Sequence, residues 1–326
     1  MKLKIIPLIA VCFFGILNSQ QKRTIGSIER LLPEINDLVA PGAKIEVLAE
    51  GFGWSEGPVW VDRLDALLFS DVPGNKIYQW DEKNGLSIFL SPSGYTGIAP
   101  RGNKGSKNAT SRDESGSNGL ILDKNGQLII CMHGDRRVAR LDDWVKKGFT
   151  TISSKYQGKY FNSPNDLVYA KNGDLYFTDP PYGLKKGDED LLKELPFNGV
   201  FKITPSGKLF LIINDLTRPN GVAISNDQKT LYVAVSDPKD RRIMAYDIIP
   251  NGVENARVFF DDDSLRKDNR GNFDGLKIHP SGTIFSTGPG GVLIITPEGE
   301  HLGTIKTKEK TANCAFDSNY QYLYMT

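Results

Sequence analysis

The chain has 326 residues, enough for one large domain or two ordinary ones, and its 40 Lys plus Arg stand against 39 Asp plus Glu for a net charge of +1. That balance gives no electrostatic footprint for nucleic acid or an anionic membrane surface, and neither is expected as a partner. With 33 Gly, 18 Pro and 10% aromatic residues, the composition suits many short strands joined by turns and argues against a helical bundle.

The N-terminal stretch MKLKIIPLIAVCFFGILNSQQKR has lysines flanking its start, an apolar run over 5–17, and small or polar residues near Ser19. It reads as a secretory signal peptide over 1–20, too short to span a bilayer comfortably, so the mature protein is expected to be secreted or periplasmic. Cleavage removes Cys12 and leaves Cys131 and Cys314, which are no disulfide framework. A lead segment over 21–42 follows, and then AKIEVLAEGF, a strand-like segment with no unit of its own.

From Glu56 onward one unit recurs. Its copies are EGPVWVDRLDALLFS, NGLILDKNGQLIIC, NDLVYAKNGDLYFT, NGVAISNDQKTLYVA, DGLKIHPSGTIFST and NCAFDSNYQYLYMT. Each passes from a polar head through a short apolar stretch and a turn rich in Gly, Asn, Asp or Ser into a second strand. The intervals Asn118 to Cys131, Asn165 to Thr178, Asp274 to Thr287 and Asn313 to Thr326 are equal, while Glu56 to Ser70 and Asn220 to Ala234 are one residue longer. Intervening candidates such as NKIYQWD, GVFKITPSG and RIMAYDI bring each unit to about four strands. The pattern predicts an all-β, six-bladed β-propeller of four-stranded antiparallel blades over 43–326. The last unit supplies only two strands, so AKIEVLAEGF is expected to add the outer strand of the sixth blade and close the ring. That blade remains one strand short, so either it is abbreviated or, the reading favoured here, the chain is clipped at its C-terminal end.

Two excursions interrupt the units. The insertion within 91–116 is rich in Gly, Ser and Lys and poor in core residues; its position fits either a flap beside the channel or a plain surface loop. The second, PPYGLKKGDEDLLKELPFNG, follows the third hairpin. Between them CMHGDRRV carries His133 and Arg136, and His133 either borders a pocket or satisfies a turn. The other histidines, His279 and His301, sit in turn sequences.

Residues at one register of a propeller's inner strands form a ring about its axis. The heads Glu56, Asn118, Asn165, Asn220, Asp274 and Asn313 should therefore converge at one mouth of the channel. Carboxylate and amide oxygens are hard donors that suit Ca²⁺ or Mg²⁺ and accept Mn²⁺ or Zn²⁺ less specifically. The bland alternative is that Asn, Asp and Gly only make the turns entering each strand. A cation held there polarises a carbonyl and lowers the pKa of water, chemistry suited to an activated ester.

The segments WSEGPVW, NSPNDLVYAKNGDLYFTDPPYGL, RPNGVAISNDQKTLYV and FDGLKIHPSG, in this order, resemble the senescence marker protein, gluconolactonase and luciferin-regenerating enzyme family. CMHGDRRV and the Gly-rich insertion resemble its bacterial gluconolactonase branch. The resemblance implies a six-bladed propeller, a bound divalent metal, commonly Ca²⁺, and hydrolysis of a small sugar lactone. By it Glu56, Asn220 and Asp274 correspond to metal ligands, and Asn165 to a channel asparagine that touches metal or substrate. Some animal members carry an arginine where this chain has Ser163, which puts the same sugar in doubt. The expected machinery is then Asp274 as proton acceptor with Asp166 as second choice, metal ligands Glu56, Asn165, Asn220 and Asp274, and substrate contacts from Asn118, Asn165, His133 and Arg136. A monomer or weak oligomer is expected. Rival functions are phosphotriester or aryl ester hydrolysis at the same metal site, and a non-catalytic binding propeller.

Overall fold

A computed structural model describes residues 23–100, 114–261, 265 and 271–326. The expected signal peptide and the centre of the 91–116 insertion lie outside these residues. All the recurring hairpins form, from Ser55–Val61 with Ala66–Asp71 to Cys314–Phe316 with Leu323–Met325. Their turns share one backbone requirement. A left-handed residue stands at each tip, with φ of 47° at Asp65, 72° at Gly126, 90° at Gly173, 66° at Gln228, 91° at Gly282 and 58° at Tyr320. Glycine meets that requirement without strain in half of the copies.

Two further antiparallel strands turn most of these hairpins into meander sheets, here called blades I to V. Blade I runs from Ser55–Val61 to Gly85–Leu90 and blade II from Leu120–Leu122 to Phe149–Ser153. Blade III runs from Leu167–Tyr169 to Leu209–Leu216 and blade IV from Pro219–Ile224 to Gly252–Asp261. Blade V spans Leu276–Ile278 to His301–Lys306.

The architecture is an all-β propeller, and it corrects the expected blade count. Among the described residues there are 5 blades, not six, and a 2-stranded sheet stands where the sixth was expected. Residues 307–326 form only one hairpin, and the N-terminal segment pairs elsewhere. Ile45–Glu46, within the segment expected to close the ring, pairs with Thr24–Ile25. Ser27–Arg30, from the lead segment, instead adds a fifth strand to the outside of blade V by pairing with His301–Lys306. Lys306 Nζ donates to Glu29 Oε1 at 2.6 Å, and Ile35 is fully buried behind the new edge. Leu48 and Phe52 pack by side chains against the blade I cluster of Leu67, Phe69 and Trp80, to which Tyr324 of the two-stranded sheet also packs.

Strands buried on both faces explain the apolar runs. In Leu128–Met132, Ile130 and Met132 pack against blade I while Ile129 and Cys131 pack against blade III. The core is thus a series of interfaces between neighbouring sheets. Cys131 and Cys314 are free and buried in it.

At the inner rim, neighbouring sheets are joined by hydrogen bonds. Ser70 Oγ donates to Asn118 O at 2.8 Å, Gly119 N to Asn165 O at 2.7 Å, and Thr178 Oγ1 to Asn220 O at 2.7 Å. Gly221 N donates to Asp274 O at 3.1 Å and Gly275 N to Ala312 O at 2.8 Å. Asn313 Nδ2 completes the circuit by donating to Glu56 Oε2 at 3.3 Å. The approach leaves no room for side chains: a Cβ on Gly119 would lie 2.6 Å from Asn165 O, and one on Gly221 2.1 Å from Asp274 O.

Candidate active site

The circuit holds the polar heads in place. Glu56, Asn118, Asn165, Asn220 and Asn313 are buried, as is Asp166, and Asp274 is half-buried. Glu56 Oε2 accepts from Gly57 N at 3.2 Å as well as from Asn313, and Oε1 accepts from Trp54 Nε1 at 3.4 Å. Burial and then the charge of Asp166 push the Glu56 carboxyl up to about 7, against the hydrogen bonds from Asn313, Gly57 and Trp54. Asp274 is raised well above the usual carboxylate range by burial, then by the charges of Glu56, Asp166 and Glu114, while Asn220 opposes the shift. These carboxylates from blades I, III and V therefore act on one another across the channel.

Asp166 occupies the position that is glycine in four other heads, Gly57, Gly119, Gly221 and Gly275. Its Oδ1 accepts from Leu167 N at 2.9 Å, and its Oδ2 lies 4.0 Å from Lys277 Nζ. Lys277 Nζ also donates to Asn313 Oδ1 at 3.3 Å. Beyond this point the channel becomes apolar, with a cavity of ≈ 360 Å³ lined by Leu120, Leu167, Val222, Leu276 and Phe316 together with Lys277.

No group of three or more His, Cys, Asp or Glu among the described residues could hold a metal by itself. The heads, however, are mostly amides, and their chemistry fits a cation. The buried oxygens Asn118 Oδ1, Asp166 Oδ2 and Asp274 Oδ1 accept no hydrogen bond from the protein. Buried oxygens without donors beside mutually repelling carboxylates are stabilised by positive charge.

The remaining expected residues separate into two settings. His133 is fully buried, with Nδ1 3.1 Å from Pro164 O and Nε2 3.3 Å from Glu114 Oε2. Arg136 turns the other way: its Nε donates to Phe161 O at 2.6 Å, and Nη1 lies 3.7 Å from Glu194 Oε1. Its guanidinium carbon stands 5.4 Å from the centre of the Tyr160 ring, so its contacts brace a loop. Ser163 Oγ donates to Pro180 O at 2.6 Å and accepts from Gly183 N at 2.9 Å, which fastens the PPYG turn over the third hairpin.

A family model described as the SMP-30/Gluconolactonase/LRE-like region matches residues 54–326. The chain belongs to that family. A gluconolactonase of Zymomonas mobilis is 38% identical over 314 residues, covering 95% of this chain and 86% of that protein. Among solved structures, a gluconolactonase of Xanthomonas campestris aligns with a TM-score of 0.78 at 27% identity, over 93% of this chain and 94% of that one. A calcium-binding regucalcin of Agrobacterium tumefaciens shares the fold, with a TM-score of 0.65 at 17% identity over 86% of this chain and 84% of that one.

In this family member, four polar groups near the heads escape the repeat-based reading. Lys277 lies three residues past its head, on a strand that reads as apolar. Tyr182 comes from the PPYG turn; its hydroxyl shares a hydrogen bond with Ser236 Oγ, to which Asn220 Nδ2 donates at 3.2 Å. Burial raises the Tyr182 hydroxyl well above its ordinary value, and the charges of Asp274 and Glu114 add to the shift. Glu114 belongs to the insertion. Only Ser236, two residues beyond its repeat unit, had a positional signal.

Proposed function

We propose that this chain hydrolyses a lactone at the channel mouth, with a divalent cation, most simply Ca²⁺, as cofactor. The observation that carries this reading is the convergence of Glu56 and Asp274, both raised by shared burial and charge, among heads that offer amide oxygens. The family membership and the gluconolactonase relatives support the choice of a lactone over other esters.

Glu56, Asn165, Asn220 and Asp274 would hold the cation. When bound, it supplies electrophilic polarisation of the ester carbonyl and stabilises the developing oxyanion. The chain's own groups do the rest. Asp274 Oδ1, which accepts no hydrogen bond from the protein, takes the proton of the attacking water; Asp166 is the second choice. Asn118 and Asn165 present side chains to the substrate. Asn313 and Trp54 fix the Glu56 carboxylate by donating to its two oxygens.

The test is a substrate panel with and without chelator: glucono-1,5-lactone, a simple γ-lactone, an aryl phosphotriester and an aryl ester. Chelator-sensitive turnover of the lactones above the aryl substrates is expected. Asp274→Ala should lower kcat/KM by at least about 100-fold and abolish calorimetric cation binding. Full activity in that variant defeats the assignment, and preferred turnover of the phosphotriester would move the substrate class.

A further inference from the structure

We propose that Glu114, held in place by His133, selects substrates bearing free hydroxyl groups by accepting a hydrogen bond from the bound ring. This rests on the lactonase reading and adds to it a residue that determines specificity.

The geometry divides the work between the two side chains. The His133 side chain is 0% exposed, whereas the Glu114 side chain is 31% exposed. A carbonyl oxygen can only accept, so the 3.1 Å contact between Nδ1 and Pro164 O places a proton on Nδ1. That leaves Nε2 facing Glu114 Oε2 at 3.3 Å. The ring cannot slide away from this position. A Cβ on Gly183 would stand 2.5 Å from its Cδ2 and 3.0 Å from its Nε2, so the PPYG turn seals one side of the imidazole. The backbone under Glu114 is pinned as well: Gly134 N donates to Gly116 O at 3.3 Å, and Gly116 N to Val72 O at 2.7 Å.

Glu114 stands one imidazole away from the backbone of Pro164, the residue before the head Asn165, because His133 lies 3.3 Å from its Oε2 and 3.1 Å from Pro164 O. A partly exposed carboxylate suits a polyol because it accepts from hydroxyl donors, and bonds to a charged group are about twice as strong as neutral ones. A ring without hydroxyls offers that carboxylate only apolar surface. A site built to bond a hydroxyl discriminates against the analogue that lacks it. Arg136 does not compete for this role, since its guanidinium is turned to Phe161 O and Glu194.

The experiment compares full-length wild type with Glu114→Gln and His133→Asn on glucono-1,5-lactone and on δ-valerolactone, the same ring without hydroxyls. The readout is the ratio of kcat/KM for the hydroxylated lactone to that for the bare one. Glu114→Gln should lower this ratio by about 10-fold, the scale of one hydrogen bond to a charged group, through KM rather than kcat. His133→Asn should lower it in the same direction, which a merely structural role would not do. An unchanged ratio in Glu114→Gln overturns the proposal, including the case where both substrates slow equally. If wild type turns over neither lactone, the lactonase reading fails. Calorimetric titration with gluconolactam and δ-valerolactam then decides the present point: Glu114→Gln must weaken the hydroxylated ring alone, and equal affinities overturn it.

Discussion

Glu56 gains its raised pKa from burial and from the charge of Asp166, and this has a consequence for the metal-free protein. The folded-state value of about 7 lies above the ordinary carboxyl value of 4.5, so between them the native chain binds more protons than the unfolded chain. The stabilising contribution is complete below 4.5 and is lost as pH rises through about 7. Asp274, shifted in the same direction, acts with the same sign. Urea unfolding in chelator should therefore show stability falling across that window, and Glu56→Gln should flatten the fall. A wild-type profile that is level there would show that burial and the neighbouring charge do not perturb Glu56. The heads are legible in the sequence because each sits a fixed distance from the end of its hairpin. Glu114 is not legible, since the Gly, Ser and Lys stretch around it has no period and its partner His133 belongs to the next blade.

Ser27–Arg30 shows what an element can hide. Its four residues, SIER, hold one apolar side chain, too little alternation to announce a strand, whereas AKIEVLAEGF looks more like one. Pairing went to the weaker pattern because the edge of blade V accepts it, with Ser27 opposite Lys306 and Arg30 opposite Gly303. Gly26 makes the entry possible. Its φ is +62°, and a Cβ there would lie 1.9 Å from Lys306 O. Gly26→Val should destabilise the protein by about 1–3 kcal/mol, read as a lower urea midpoint, because the added strand must shift off its edge. An unchanged midpoint would mean that this strand adds nothing to the fold. Central strands behave differently. Ile130→Ala, at a fully buried contact between blades I and II, should cost about 2–5 kcal/mol.

Across the whole molecule, the sheets meet mainly through apolar faces, but the two-stranded sheet has a smaller share of them. Its link to blade I includes the Trp60 and Tyr324 rings, stacked with centroids 5.4 Å apart and planes 4° from parallel. Tyr324→Ala should raise amide hydrogen exchange about 10-fold in Cys314–Phe316 and leave Leu128–Met132 unchanged. Equal acceleration in both strands would show that the seam has no separate stability. The propeller class and its hairpins are legible from the recurring unit. The closure is not, because side-chain packing of Leu48 and Phe52 on blade I and a strand joined to blade V leave no period to read.

The hydrogen bonds from Ser70, Gly119, Thr178, Gly221, Gly275 and Asn313 tie each repeat to its successor at the axis. They make a hoop whose circumference does not depend on how long the outer segments are. Loop exchange between relatives can therefore retune what the mouth admits while the spacing of the chemistry stays fixed, which makes this scaffold a natural chassis for engineering new selectivity.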